Sequence, residues 1–328
     1  MKAVVAQAFG PPESLAIETL PQPKPGPGEL RVAVHFAGIS FADVLIAAGE
    51  YQLKPPLPFT PGSEYAGVVI ETGPGVTGFA PGDRVRAGSF GGAFAEEAIV
   101  AAASAAKVTP GQPLAEAALI RSSYMTACYA LKWRGQVKAG ETVVVLGAGG
   151  AVGIAAVQAA KAYGARVIAS ASSEAKRQLA LDNGADHALD STAQDWRDRL
   201  KAAAGGRGVD VVLDTVGGAQ TERAFRSLAW NGRLLVVGFA GGGIPKLPTN
   251  LALLKGASLV GVDIRQVAIH EPEVSQAVAD EVTRLVEAGI ARPPIAQVYA
   301  LEDFAEAMIA TRAGQSAGRI LLRMPAAG

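Results

Sequence analysis

A β-branched run, Thr142 to Leu146, passes directly into Gly147-Ala148-Gly149-Gly150-Ala151-Val152-Gly153 and on into a helical-period stretch, Val152 to Tyr163. A strand, a turn stripped of side chains and a helix in immediate succession limit the surrounding chain to a βαβ unit. Backbone N–H groups and the helix N-terminus can then face a pyrophosphate, while Gly153 lets the helix pack closely on the strand. The spacing Gly-x-Gly-x-x-x-Gly departs from the usual dinucleotide fingerprint, so the flanking strand and helix carry the reading more than the glycines do. Gly149, Gly150, Ala151 and Val152 are the candidate pyrophosphate contacts.

In such a unit an acidic residue about twenty positions on, at the end of the second strand, holds the ribose 2′-hydroxyl. Here the second strand reads Arg166 to Ser170 and continues into Ala171-Ser172-Ser173, with Lys176 one helical turn further. No carboxylate at the strand end repels a 2′-phosphate; Ser172 and Ser173 could donate hydrogen bonds and Lys176 could supply the charge. NADPH is expected over NADH. The plainer alternative makes Lys176 a solvated helix lysine and one of the serines an N-cap.

The alternation continues with a helix at Ser173 to Asn183, a strand at Val209 to Thr215, a helix at Gln220 to Leu228, and a strand at Arg233 to Phe239 after an Asn231-Gly232 turn. Ser258 to Ile264 is read as the last strand. The first third differs, being rich in proline and glycine with short apolar runs at Leu30 to Phe36, Tyr65 to Ile70, Asp83 to Arg86 and Phe94 to Val100, which suits a mostly-β domain. An amphipathic helix at Glu273 to Ala288, a helix at Glu302 to Thr311 and an extended Arg319 to Leu322 are expected to rejoin it. The expected fold is therefore α/β with two domains: 1–122 with 265–328 mostly β, and 123–264 a doubly wound parallel sheet.

Thirty Lys and Arg against thirty Asp and Glu give no net charge, which speaks against a polyanion such as nucleic acid as partner. One cysteine, Cys128, excludes an internal disulfide, and three histidines are too few for a structural zinc cage, so a reducing, cytoplasmic setting is expected. No secretory leader is read at the N-terminus, and glycines interrupt the long uncharged run after Glu141, so no membrane association is expected. No histidine forms a visible triad with Cys128 or a serine.

Further motifs lie along the chain: Ala37-Gly38-Ile39-Ser40-Phe41-Ala42-Asp43 with Gly49-Glu50-Tyr51; Pro58-Phe59-Thr60-Pro61-Gly62-Ser63-Glu64-Tyr65-Ala66-Gly67; Gly82-Asp83-Arg84-Val85; Asp210 to Gly218; and Gly232 to Gly238. With the glycine turn they make the sequence, nearly end to end, similar to the zeta-crystallin-like quinone oxidoreductase branch of the medium-chain dehydrogenase/reductase superfamily. The resemblance implies a GroES-like substrate domain built from both chain ends, a Rossmann domain inserted between them, and dimers formed through the edge strand, here Ser258 to Ile264.

Zinc alcohol dehydrogenases of that superfamily carry metal-binding cysteine and histidine where this chain has Ser40, Ser63 and Ser122, so the resemblance implies no metal. It also implies that Tyr51, matching the family's cleft tyrosine, donates to the developing oxyanion, with Ser40 and Asp43 in the same segment. Thr126 would meet the nicotinamide carboxamide and Gly238 and Phe239 would line its pocket. Arg312 would join Lys176 at the 2′-phosphate, where Ser191 replaces a frequent tyrosine. The activity implied is NADPH-dependent, zinc-independent quinone reduction. Reduction of the carbon–carbon double bond of an enone, enal or enoyl thioester remains the close alternative, and a non-catalytic, crystallin-like NADPH-binding protein the more distant one.

Overall fold

A computed structural model describes residues 1–325, which fall into two compact units: Met1–Ser122 with the described residues from Pro293 onward, and Ser123–Arg292. In the first, β1 (Lys2–Val5) pairs antiparallel with β2 (Ala16–Thr19). The long β3 (Glu29–Ile39) follows, then a short helix α1 (Phe41–Ala47) and β4 (Glu64–Thr72), β5 (Arg84–Ala87), β6 (Glu97–Ala101), β7 (Ala105–Lys107) and α2 (Leu114–Ala117). Alternation along β3 buries Leu30, Val32 and Val34 against Val69, Val85, Phe94 and Val100, which is the core of this unit.

Helix α3 (Arg121–Cys128) leads into the second unit. Its elements alternate: β8 (Thr142–Leu146), α4 (Ala151–Ala162), β9 (Arg166–Ala171), α5 (Glu174–Asp182), β10 (His187–Asp190), α6 (Trp196–Ala203), β11 (Val209–Asp214), α7 (Ala219–Phe225), β12 (Leu228–Val236), α8 (Asn250–Lys255) and β13 (Ser258–Gly261). The strands form one parallel sheet in the order β10-β9-β8-β11-β12-β13. All of β8 is buried, as a central parallel strand covered on both faces requires. Small side chains from Gly153 to Ala160 bring α4 close to it.

A short helix, α9 (Ile264–His270), and a long one, α10 (Pro272–Glu287), complete this unit; β14 (Ile295–Ala300), α11 (Phe304–Ala313) and β15 (Arg319–Arg323) return to the first, where the sheet runs β14-β15-β3-β4-β5-β7 with β6 also on β3. The fold is thus a GroES-like sheet unit and a Rossmann-type parallel unit.

Three expectations are corrected. Residues 265–292 belong to the parallel unit rather than to the first: Glu281 of α10 is buried and ion-paired to Lys132 at 2.8 Å, and Gln158 of α4 holds the backbone of Arg292. Amphipathic periodicity identified α10 but carried no information about which core receives it. The last strand ends at Gly261, and Ile264 opens α9 behind an Asp263 cap. Asn231 and Gly232 lie inside β12, where the register against β11 shifts and Asn231 takes φ +59°, a conformation Asn tolerates better than most residues.

Candidate functional site

The strand order of the parallel unit reverses between β8 and β11, and ligands of such sheets bind beyond the carboxyl ends of the strands at that switch point. The Gly147–Gly153 turn stands there. Gly147 has φ +72°, and a Cβ on it would lie 2.5 Å from Thr215 Oγ1. At Gly153 a Cβ would be 2.1 Å from the Gly147 carbonyl oxygen, so only glycine lets α4 start so close to β8. A methyl on Gly149 would meet Lys176 Cβ at 2.5 Å, because the lysine stem folds over this turn. No side chain caps α4, whose N-cap is Gly150, so Ala151 and Val152 begin the helix with their N–H groups turned to the strand ends. The residues fit a pyrophosphate.

At the end of β9, Ser172 is exposed and Ser173 is the N-cap of α5, its Oγ accepting from the Lys176 N–H at 3.4 Å. Lys176 is half-buried, and burial lowers its pKa below the ordinary lysine value. The Ser191 N–H donates to the Ala171 carbonyl, tying the end of β10 to that of β9. Sequence reading missed Arg177, whose Nη1 lies 3.3 Å from the carbonyl oxygens of both Ala171 and Ser172.

Buried Asp214, at the end of β11, shapes the opposite side of the switch point. Its Oδ1 accepts from the Val216 and Gly217 N–H groups at 2.9 Å and its Oδ2 from Thr221 Oγ1, while its carbonyl accepts from Val237 and Gly238. Gly238 is thereby held beside β11, followed by a partly exposed Phe239. Thr126 lies half-buried in α3.

In the sheet unit, Ser40 is the N-cap of α1 and Asp43 its third residue. The Asp43 N–H donates to Ser40 Oγ at 3.1 Å, and Asp43 Oδ2 accepts from Ser40 N and Oγ at 2.8 and 2.7 Å. Ser40 and Asp43 thus close a reciprocal capping box at the start of α1. Burial raises the Asp43 carboxyl to about 6, against the lowering pull of hydrogen bonds from Ser40 and Ser63. A carboxyl whose folded pKa is raised contributes stability at low pH that is lost as pH rises through the folded value. From pH ~4 to ~7 wild type should therefore lose about 2 kcal/mol relative to Asp43→Asn, read from urea unfolding of both proteins. A pH-independent difference would contradict this assignment.

Tyr51 is half-buried in the bend after α1. Arg312, at the end of α11, pairs with Glu50 at 2.8 Å, both side chains about half exposed. Glu64 is fully buried: Oε1 accepts from Arg319 Nη2 at 2.6 Å and Oε2 from the Ser122 N–H at 2.8 Å, with Arg121 close enough to feel its charge. A zinc ion does not fit these residues. Three hydroxyls stand in the ligand positions and the one carboxylate is already engaged; among the described residues no group of three His, Cys, Asp or Glu is placed to hold a metal.

Two sequence families match, one described as alcohol dehydrogenase GroES-like domain over residues 26–110 and one as zinc-binding dehydrogenase over 151–283. Quinone oxidoreductase-like protein 2 of Mus musculus is 39% identical over 94% of this chain and 88% of its own. A probable oxidoreductase from Mycobacterium abscessus, 37% identical, superposes with a TM-score of 0.88 over 98% of this chain and 99% of that one. The Escherichia coli quinone oxidoreductase, solved in complex with NADPH, is 29% identical with a TM-score of 0.89 over 98% and 100%. The protein is an oxidoreductase of medium-chain dehydrogenase/reductase type. Within that superfamily, the chain belongs to the quinone oxidoreductase family.

Proposed function

We propose that the protein passes reducing equivalents from NADPH to a quinone without zinc. The observation that carries this reading is the bare turn at the switch point with Lys176 folded over Gly149 and no carboxylate at the end of β9. NADPH in such a site supplies hydride. Gly149, Gly150, Ala151 and Val152 receive the pyrophosphate, Thr126, Gly238 and Phe239 the nicotinamide end, and Ser172, Lys176 and Ser191 the 2′-phosphate.

A conjugated acceptor suits a site with no metal, since its developing charge delocalises onto an oxygen that needs only a hydrogen bond or a proton. Tyr51 supplies that hydrogen bond. Asp43 and Ser40 fix the start of α1 and with it the segment that leads to Tyr51. Tyr51→Phe should lower kcat with a quinone roughly a hundredfold with little change in NADPH affinity. An unchanged kcat would remove Tyr51 from the chemistry.

The substrate is a small molecule, the setting is cytoplasmic, and the protein acts as a homodimer joined through β13. That strand is one edge of the parallel sheet and carries exposed Leu259, its neighbour β12 carries exposed Trp230, and the preceding α8 carries exposed Leu253 and Leu254. No helix among the described residues is long and apolar enough to cross a membrane. Sedimentation at micromolar concentration should give a dimer for wild type and a monomer for Leu259→Lys; a monomeric wild type would contradict the assembly.

A further inference from the structure

β10 lies beside β9 with Asp190 opposite Ala171, so the backbone of a carboxylate-bearing residue runs one strand spacing, about 4.8 Å, from the strand end where the adenosine ribose is read. Asp190 Oδ1 accepts from the Thr192 N–H at 2.9 Å and Thr192 Oγ1 at 2.7 Å. Those bonds, with Arg177 and Arg199 nearby, hold its pKa below the usual carboxylate value, so it is charged at neutral pH. An ionised carboxylate here opposes a 2′-phosphate.

Arg177 projects from α5 into the same corner. Its Nη1 is shared between the Ala171 and Ser172 carbonyls and lies 3.6 Å from Asp190 Oδ1. That separation exceeds the 2.7–2.9 Å of a tight charge-assisted bond. The guanidinium is thus anchored to the strand end by the backbone and only loosely matched to the carboxylate.

We infer that the Arg177–Asp190 pair sets the preference between NADPH and NADH: Arg177 cancels Asp190 and presents positive charge to the 2′-phosphate, while Asp190 holds the preference below what Lys176 and Arg177 alone would give. The inference rests on the proposed NADPH site. It adds a favourable and an unfavourable determinant, with opposite signs, that neither the glycine turn nor Lys176 contains.

The test is the ratio of NADPH to NADH dissociation constants for the purified full chain, measured by fluorescence quenching. Adenosine 2′,5′-bisphosphate and adenosine 5′-monophosphate serve as competing probes that lack the nicotinamide. Asp190→Asn should raise the preference for NADPH roughly three- to tenfold, and Arg177→Ala should lower it by a similar factor or more. Arg177→Lys should recover part of it, and NADH affinity should change little in any variant. A merely structural role would weaken both cofactors together. If Arg177→Ala does not fold, Asp190→Asn alone reads the sign. Wild type binding both cofactors equally would overturn the NADPH reading itself; wild type preferring NADPH while Asp190→Asn keeps the same ratio would overturn this inference alone.

Discussion

Glu64→Ala should lower the unfolding free energy of the sheet unit by about 3–5 kcal/mol, the cost of breaking a buried ion pair by removing one partner. The pair joins β4 to β15, two strands that both lie next to β3, and both side chains are almost completely buried. Without the carboxylate, the Arg319 guanidinium loses its 2.6 Å ion pair inside the sheet unit, and the Ser122 N–H loses the Glu64 acceptor. Arg121 loses a counter-charge as well. Glu64→Gln should cost less, because an amide oxygen still serves Ser122. Since a domain's whole stability is typically about 5–15 kcal/mol, the alanine variant should lose a large part of it. Urea denaturation, following the transition of the sheet unit, reads the difference; a loss below about 1 kcal/mol would mean that the pair is dispensable.

Lys176→Ala should weaken NADPH binding by roughly 10- to 100-fold while leaving NADH within about twofold. Hydrogen bonds to charged groups contribute about 1.5–3 kcal/mol, and the 2′-phosphate is the one group that NADH lacks. The lysine stem packs over Gly149, but alanine retains the Cβ, so the turn keeps its nearest neighbour. Equal loss of both cofactors would show that Lys176 supports the turn rather than reading the phosphate. Isothermal titration with both cofactors separates the two cases.

Much of the parallel unit was legible because its signals are local. β8 is a β-branched run that must be buried on both faces, and the glycines after it are required by a positive φ at Gly147 and a backbone contact at Gly153. β10 and α6 were not read, since neither has a long apolar run; α6 buries only Trp196 and Leu200, with Trp196 Nε1 bonded to Ser170 Oγ. Asp214 and Arg177 were missed as shaping residues for a related reason. Their partners are backbone groups and side chains that the sheet brings near, and no spacing rule points to them.

The sheet unit shows the same division. Motif likeness drew attention to Ser40, Asp43, Ser63 and Glu64, but the direction of their bonds came only with the fold. The serine caps α1, the aspartate answers it, and the glutamate is committed to Arg319, a residue 255 positions away. The misplacement of 265–292 has a physical cause too: an amphipathic helix advertises a buried face, not the core that buries it.

The most direct test of the account is oxidation of NADPH, followed by loss of its near-ultraviolet absorbance, by protein exhaustively treated with chelator. The acceptors are benzoquinone, phenanthrenequinone, a 2-alkenal and crotonyl-CoA. The account predicts turnover that chelation leaves intact and that is fastest with the quinones. Turnover confined to the alkenal or thioester would contradict the quinone assignment, and saturable NADPH binding without turnover of any acceptor would contradict the enzyme reading altogether.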